Sequence, residues 1–266
     1  MNTIVFQSFR PHNVPRWIER CLASVRSWAE ASGFTYRLID DAFLALAPDW
    51  YRAKTNEYIT LVTDLARLVY ARQCLLDGFN RAIWVDADVI VFCPSSLRVD
   101  PNLSCGYCRE VWVDREESGA VVPDPKVNNA VCQFTNEAIE HLESYIDHCY
   151  STIRELPEIR DGLEVGTRYL SATHSSKALI LNVGLINPVI MQAILEDDED
   201  LLARYIEWQG SYVYAANLCH SIRRFFGPMP GLYDCLCNAV VEKLIANQGG
   251  VLAHPLSSNS ASMAAP

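Results

Sequence analysis

Two aspartates, Asp86 and Asp88, stand one residue apart inside an otherwise apolar run, AIWVDADVIVF over residues 82–92. A carboxylate taken out of water is costly unless it is paired or bound to a metal, and Asp is disfavoured in strands. Carboxylate oxygens are the ligands that Mg²⁺ prefers, and Mn²⁺ accepts them as well. The pattern therefore predicts a site for Mg²⁺ or Mn²⁺ at Asp86 and Asp88.

The overall composition is that of an ordinary globular protein and excludes several other classes. Of the 266 residues, half are apolar and a fifth are charged, which is typical of a folded chain. The net charge of −10, from 32 acidic and 22 basic side chains, argues against nucleic-acid binding because phosphate backbones select basic surfaces. With neither a secretory leader pattern nor an apolar run of roughly 18 residues, we expect a cytoplasmic protein without a transmembrane segment. Most of the ten cysteines are predicted to be buried thiols.

The first third of the chain alternates between strand and helix patterns. Strands are predicted over Thr3–Phe6 and Phe34–Ile39, and a helix over Pro15–Ala31 joins them into a βαβ unit. A second helix is predicted over Glu57–Leu76, followed by the strand Ala82–Val85, which ends at the first aspartate. Ligands of open α/β sheets bind beyond the carboxyl ends of the strands. The order predicts an α/β fold with the two aspartates in the ligand crevice.

The remainder of the chain carries weaker patterns. They predict, in chain order, a strand over Leu103–Val113, a loop over a site at Asp114–Pro125, a strand over Val127–Phe134, a helix over Asn136–Arg154, an irregular segment over Leu156–Ser176, a strand over Ala178–Ile186, a helix over Pro188–Trp208 and a flexible tail over Ser257–Pro266.

Asp64 and Arg67 lie three residues apart on the predicted helix that precedes the Asp-containing strand. Residues at this spacing are neighbours on a helix surface. Two interpretations remain open from the spacing alone. The pair is either a solvated ion pair or part of a ligand site, in which the planar guanidinium suits a phosphate or a sugar hydroxyl.

These motifs together resemble the DXD-containing sugar-binding region of GT-A glycosyltransferases. The segments that carry the resemblance are LVTDLAR (61–67), LLDG (75–78) and IWVDAD (83–88), in the order D-x-x-R, helix end with glycine, strand, D-x-D. The match is strongest to the family that includes the initiating α-1,6-mannosyltransferase of yeast and bacterial capsular-sugar transferases, with the clostridial glucosylating toxins as distant relatives. It covers residues 3–91. The resemblance implies a GT-A, Rossmann-like central mixed sheet flanked by helices.

The resemblance also implies a domain plan. A single GT-A domain is expected over residues 1–256, with a nucleotide-sugar-binding half at 1–93 and an acceptor-side half, with insertions, at 94–256. Residues 257–266 form the tail.

The resemblance assigns roles to the residues of the donor site. Asp64 and Arg67 would contact the donor sugar and its diphosphate. Asp86 would bind the ribose and the metal, and Asp88 the metal itself. The end of the first strand, with Phe6, Gln7 and Ser8, would receive the nucleotide base. His254, preceded by two glycines that let the segment turn, would close the metal site.

The expected reaction is metal-dependent transfer of a hexose from a UDP- or GDP-sugar to a hydroxyl of a glycan, lipid or protein acceptor, with retention at the anomeric carbon. Candidate neighbours of the acceptor are Asn128, Asn129, Asn182 and Asp234. One alternative is a phosphohydrolase of the haloacid-dehalogenase type, although Ile90 stands where such enzymes place Thr or Val. The other is a sugar-nucleotide-binding interaction protein without transfer activity.

Overall fold

The computed structural model describes residues 2–55, 58–175, 177, 179–226 and 229–254. The predicted tail Ser257–Pro266 lies outside the described residues, as do Glu57, Ser176 and Ala178, at which three predicted segments begin or end.

The described strands form two sheets. Their bounds are β1 Thr3–Ser8, β2 Thr35–Ile39, β3 Arg81–Val85, β4 Val89–Val91, β5 Cys105–Arg115, β6 Val121–Thr135, β7 Val183–Leu185 and β8 Ala215–Asn217. The larger sheet has the order β2-β1-β3-β6-β5, and the smaller has the order β4-β8-β7. In the larger sheet β2, β1 and β3 are parallel, whereas β6 and β5 are antiparallel to their neighbours. The sheet is therefore mixed, as predicted.

Helices cover both faces of the central sheet. Their bounds are α1 Arg16–Ala31, α2 Asp49–Lys54, α3 Ile59–Leu76, α4 Ile139–Glu155, α5 Thr167–His174, α6 Pro188–Glu196, α7 Glu199–Gln209 and α8 Pro230–Ala246, with 3₁₀ turns at Asp41–Leu46, Asn136–Ala138, His220–Phe226 and Gly250–Leu252. Residues of α1 pack on the face that carries Val5 and Ile83, and residues of α3 pack on the face that carries Phe6 and Trp84. The predicted α/β architecture, a central mixed sheet flanked by helices, is confirmed.

Asp86 and Asp88 lie where the chain passes from one sheet to the other. β3 ends at Val85 in the large sheet, and β4 begins at Val89 in the small one. The amide of Asp86 donates to the carbonyl of Ala130 at 2.7 Å, and the amide of Val89 donates to the carbonyl of Asp86 at 3.1 Å. The apolar run is therefore two buried strands, and the aspartates occupy the turn between them at the carboxyl end of β3.

The predicted loop Asp114–Pro125 is wrong, because β5 and β6 continue through most of it as a hairpin. The turn spans Glu116 to Ala120, whose backbone groups bond at 2.9 Å. Polar residues dominate because this part of the hairpin extends beyond the core. Pro123 and Pro125 are accommodated because β3 pairs only with Val131–Thr135, so this stretch of β6 has a free edge.

Three segments of the second half also differ from expectation. The predicted helix Pro188–Trp208 is two helices, because Asp197 adopts a left-handed conformation with φ 57° and Asp198 caps α7 by accepting from the amide of Leu201 at 3.0 Å. The segment Leu156–Ser176, which was predicted to be irregular, contains helix α5. Within the predicted strand Ala178–Ile186, the described strand is the shorter β7. Helix α8 had no counterpart in the sequence predictions.

Two further expectations concern cysteines and membranes. All ten cysteines are free thiols and seven are buried, which confirms the prediction. Within the described ranges, none of the helices is long and apolar enough to cross a membrane.

Candidate active site

A cavity of about 430 Å³ opens beyond the carboxyl ends of β1 and β3. The strand order reverses between these two strands, and this is the place where α/β sheets bind ligands. The polar residues that line the cavity include Ser8, Arg10, Asp41, Asp64, Arg67, Asp86, Asp88, Asn128, Asn129, Asn217 and His220. The fold therefore brings together the two motifs, D-x-x-R and D-x-D, that the sequence presents separately.

Arg67 joins Asp86 to Asp64. Its Nη1 lies 3.2 Å from Oδ1 of Asp86, and its Nη2 lies 3.1 Å from Oδ1 of Asp64. Nη1 also donates to the carbonyl of Asn129 at 2.6 Å, and the side-chain amide of Asn129 donates to Asp64 Oδ1 at 3.0 Å. The indole of Trp84 adds a second donor to Asp86 Oδ1, at 2.6 Å. These five side chains form the buried ion network.

Burial decides between the two interpretations of Asp64 and Arg67. Their side chains are 7% and 5% exposed, so a solvated ion pair is excluded. The guanidinium lies 5.0 Å from the ring of Trp84, which in turn stacks on Phe43 at 5.1 Å. Besides its two acidic partners, the guanidinium donates to the carbonyls of Thr63, at 3.3 Å, and Asn129, at 2.6 Å. Arg67 therefore supports Asp86 from within, and its contact with a donor stays a prediction.

Burial also sets the charge of the network. It raises the pKa of Asp64, against the opposing effects of Arg67 and Asn129. Burial raises the pKa of Asp86 as well, with Arg67 opposing the shift and Asp88 adding to it. For Arg67, burial lowers the pKa, but the two acids outweigh it and the net direction is upward. The permanent positive charge of Arg67 therefore lies beside several acids. A divalent cation bound at these acids would favour their ionised forms.

Asp88 is held by main-chain groups from the distant end of β8. Its Oδ2 accepts from the backbone N–H of His220 at 2.6 Å, and its carbonyl accepts from the N–H of Leu218 at 3.0 Å. The turn between these two donors is tight, since Cys219 has φ 51°. Hydrogen bonds and ion pairs from the described residues reach Oδ1 of Asp86 and Oδ2 of Asp88, which leaves the other oxygen of each carboxylate for a ligand.

These two carboxylates fit one kind of metal site. Within the described ranges, no group of three or more His, Cys, Asp and Glu side chains could hold a metal ion. Mg²⁺ is commonly bound through one or two carboxylates, keeps several waters and takes further ligands from substrate phosphates. The donor set therefore fits Mg²⁺ or Mn²⁺ bound together with a phosphorylated substrate, rather than an ion enclosed by the protein alone.

The histidine beside Asp88 is His220, and not the predicted His254. His254 is exposed and lines a separate depression together with Asp197. The ring of His220 lies between Phe9, at 6.0 Å, and Trp17, at 5.8 Å. Its Nε2 is buried and has no hydrogen-bond partner among the described residues, and burial lowers its pKa and so favours the neutral form. Sequence reasoning missed His220 because it lies 132 residues from Asp88.

The end of β1 contributes differently from the prediction. Ser8 and Phe9 line the cavity. Phe6 is fully buried against Trp84, with ring centroids 5.3 Å apart, and Gln7 is fully buried as well. The side-chain Nε2 of Gln7 donates to the backbone carbonyl of Asp86 at 3.1 Å. Because Phe6 and Gln7 lie beneath the cavity, they support its floor and do not present a surface to a nucleotide base.

Two of the four candidate neighbours of the acceptor lie at the site. Asn128 and Asn129 line the cavity. Asn182 lines a different cavity of about 230 Å³, which lies between the two sheets. Asp234 is occupied by the indole of Trp17 at 3.0 Å and by the guanidinium of Arg223 at 3.0 Å.

Comparison with known proteins gives little support for an assignment. No family model and no curated protein matches this sequence. Among solved structures, the chain is similar to a glycosyltransferase involved in the glycosylation of the major capsid of PBCV-1, with 10% sequence identity and a TM-score of 0.49 over 90% of this chain and 99% of that one. A similarity at this level does not show the activity of the chain.

Proposed function

We propose that the chain is a metal-dependent glycosyltransferase that moves a hexose from a UDP- or GDP-sugar to an acceptor hydroxyl, with retention at the anomeric carbon. One observation carries the proposal. Asp86 and Asp88 lie side by side at the crevice between β1 and β3, each with one carboxylate oxygen held by the protein and the other left for a ligand. This is the arrangement that a cation shared with a diphosphate requires.

The residues around the aspartates have complementary tasks in this proposal. When bound, Mg²⁺ or Mn²⁺ supplies a Lewis acid that stabilises the charge developing on the departing nucleoside diphosphate. Arg67 holds Asp86 in one orientation and favours its ionised form. Arg10 is exposed at the mouth of the cavity and, within the described part of the chain, forms no ion pair with a carboxylate, so it can receive a phosphate.

The acceptor belongs in the same cavity, beside Asn128 and Asn129. Their side-chain amides already bond within the protein, Asn128 to the N–H of Ala130 at 2.9 Å and Asn129 to Asp64. They therefore shape a rigid polar wall. With retention, the departing phosphate can accept the proton of the attacking hydroxyl, so the wall need only orient that hydroxyl.

Thermal shift with nucleotides tests the proposal. The chain is mixed with UDP, GDP and their hexose conjugates, with Mn²⁺ or with EDTA. A nucleotide at a hundred times its Kd adds about 2.7 kcal/mol to stability, which raises the Tm of a chain of this size by roughly 5–10 °C. We expect the shift only with Mn²⁺, and expect it to disappear in Asp88→Ala. The control is Asp124→Ala, which removes an exposed carboxylate paired with Lys126 on the hairpin. An undiminished shift in Asp88→Ala, or in EDTA, contradicts the metal role.

Turnover separates the proposal from its two alternatives. A glycosyltransferase releases nucleoside diphosphate from the sugar nucleotide, by transfer or by slow hydrolysis, in a reaction that needs Mn²⁺ and Asp88. A binding protein without activity gives the thermal shift and no release. A phosphohydrolase instead releases inorganic phosphate from p-nitrophenyl phosphate.

A further inference from the structure

A third acidic side chain, Glu110 on β5, is buried behind the two aspartates. It is 2% exposed, and within the described ranges no Lys or Arg forms an ion pair with it. Burial raises its pKa to about 8, and the charges of Asp86 and Asp88 add to the shift. A buried carboxylate without a cation is costly, so the folded chain favours the protonated form of Glu110, and neither the proposed chemistry nor the lining of the cavity uses this side chain.

Glu110 bonds to Asn217, the last residue of β8. Its Oε1 accepts from the Nδ2 of Asn217 at 3.1 Å. The other end of the same amide, Oδ1, accepts from the backbone N–H of Cys219 at 2.8 Å. The amide of Asn217, which is 5% exposed, therefore links Glu110 to the turn that follows β8.

The orientation of that amide determines whether the turn is stabilised. Cys219 has φ 51°, a left-handed conformation that costs about 1 kcal/mol or more in a residue other than glycine. Turned by 180°, Asn217 would point its NH₂ group at the N–H of Cys219, donor against donor. Glu110 disfavours this, because its Oε1 accepts from the NH₂ group in the observed orientation and would face the amide oxygen of a turned Asn217. The hydroxyl of Tyr233 donates to the carbonyls of Leu218 and Cys219. The described side-chain acceptor for the N–H of Cys219 is therefore Asn217.

The turn delivers the donor that holds Asp88. Immediately after Cys219, the N–H of His220 points at Asp88 Oδ2 at 2.6 Å. We propose that Glu110 is a positioning residue for Asp88, acting through Asn217 and the Cys219 turn to fix the N–H of His220 on the carboxylate. The link to cation binding rests on the proposed function, whereas the link to the N–H of His220 does not.

Amide hydrogen exchange, followed by NMR on the full chain without metal or nucleotide, tests the positioning. In Glu110→Leu we expect the amides of Cys219 and His220 to exchange about tenfold faster, which corresponds to the loss of one buried hydrogen bond. Asn217→Ala should give the same result and serves if Glu110→Leu does not fold. Glu110→Gln keeps an acceptor oxygen for Asn217 and should exchange as the wild type does.

The matched control is Gln209→Leu. Gln209 is fully buried and its Nε2 donates to the carbonyls of Arg109, Leu181 and Val183, so the variant loses a buried polar group next to β5 whose described side-chain hydrogen bonds do not reach Glu110, Asn217 or Cys219. It should leave the exchange of Cys219 and His220 unchanged. Wild-type exchange in a folded Glu110→Leu, or in Asn217→Ala if Glu110→Leu does not fold, overturns the proposal, and so does equal acceleration in Gln209→Leu.

Titration with Mn²⁺ in the presence of UDP or GDP, with free Mn²⁺ measured by EPR, tests the consequence for cation binding. We expect the Kd for Mn²⁺ to rise about tenfold in Glu110→Leu and to stay unchanged in Glu110→Gln and Gln209→Leu. If the wild type binds no Mn²⁺ with either nucleotide, the proposed function fails and the exchange result still decides the positioning. If exchange accelerates in Glu110→Leu while its Kd stays at the wild-type value, the role in cation binding is overturned.

Discussion

Asp86 and Asp88 stand one residue apart, yet different kinds of structure hold them. Asp86 is fixed by side chains, since Arg67 and Trp84 both reach its Oδ1. Asp88 is fixed by the backbone N–H of His220, in a turn whose geometry depends on Asn217. The first arrangement concentrates charge in a buried ion network, and the second concentrates backbone strain in a turn. Substitutions on the two sides of the motif should therefore affect stability in different ways.

Arg67→Met should have the largest effect on stability. It removes the only described ion-pair partner of Asp64 and Asp86 and leaves their carboxylates uncompensated. Breaking a buried ion pair by removing one partner costs about 3–5 kcal/mol, which urea unfolding would measure. The control is Arg72→Met on the same helix, because Arg72 pairs with Glu143 at 3.0 Å with side chains 43% and 48% exposed. An exposed pair contributes less than about 1 kcal/mol, so similar losses in the two variants would contradict the buried network.

On the Asp86 side, the elements that carry Asp64, Arg67 and Asp86 were predictable from the sequence because local patterns specify them. Helical periodicity places Asp64 and Arg67 on one face of α3, and the glycine at 78 and the short strand that follow carry the chain to Asp86. The direction in which Arg67 points was not predictable. It depends on the indole of Trp84 and on the carbonyl of Asn129, which β6 brings to the site by antiparallel pairing.

The Asp88 side was not predictable because its determinants are neither local nor encoded in side-chain type. β4 and β8 are three residues each, too short to show a period, and they bring Val89 opposite Asn217 across the small sheet. The donor to Asp88 is a backbone N–H, which every residue except proline possesses. Glu110 lies between Arg109 and Val111 in β5 and opposite Lys126 of β6, and only the fold shows that its side chain bonds to the amide of Asn217. The motif identified the site, and the contacts that support half of it became visible only in three dimensions.

Gly166→Ala should have an intermediate effect, confined to the Asp64 end of the buried network. Gly166 has an ordinary φ of −96°, but an added Cβ would lie 2.6 Å from Oδ2 of Asp64. Forcing an atom into a packed site costs about 1–3 kcal/mol. In the control, Gly231→Ala, the added Cβ meets no atom within 4 Å and the residue lies in α8, so stability should be unchanged or up to about 1 kcal/mol higher. Wild-type stability of Gly166→Ala, measured by urea unfolding, would show that Asp64 can move freely.

At pH 5 Glu110→Gln should have the smallest effect of these variants, and its effect should grow as the pH rises, because Glu110 alters the pH dependence of stability. Glu110 has its pKa raised to about 8 by burial, with Asp86 and Asp88 adding to the shift and Asn217 and Cys108 opposing it. The unfolded chain loses this proton near the ordinary pKa of Glu, about 4.3, and the folded chain keeps it until pH 8. The folded state therefore binds more protons in this interval, and stability falls as the pH rises.

A single such group contributes a slope of up to about 1.4 kcal/mol per pH unit, and glutamine, which does not titrate, removes it. The free energy of unfolding, measured from pH 5 to pH 8, should therefore decline less steeply in Glu110→Gln than in the wild type. Arg72→Met is the control and should keep the wild-type slope. The ion network around Asp86 has a cation to oppose its acids, whereas the described side-chain donors to Glu110 are the neutral groups of Asn217 and Cys108. An unchanged slope in Glu110→Gln would mean that Glu110 is ionised in the folded chain, and that the Asp88 side, like the Asp86 side, holds a buried charge.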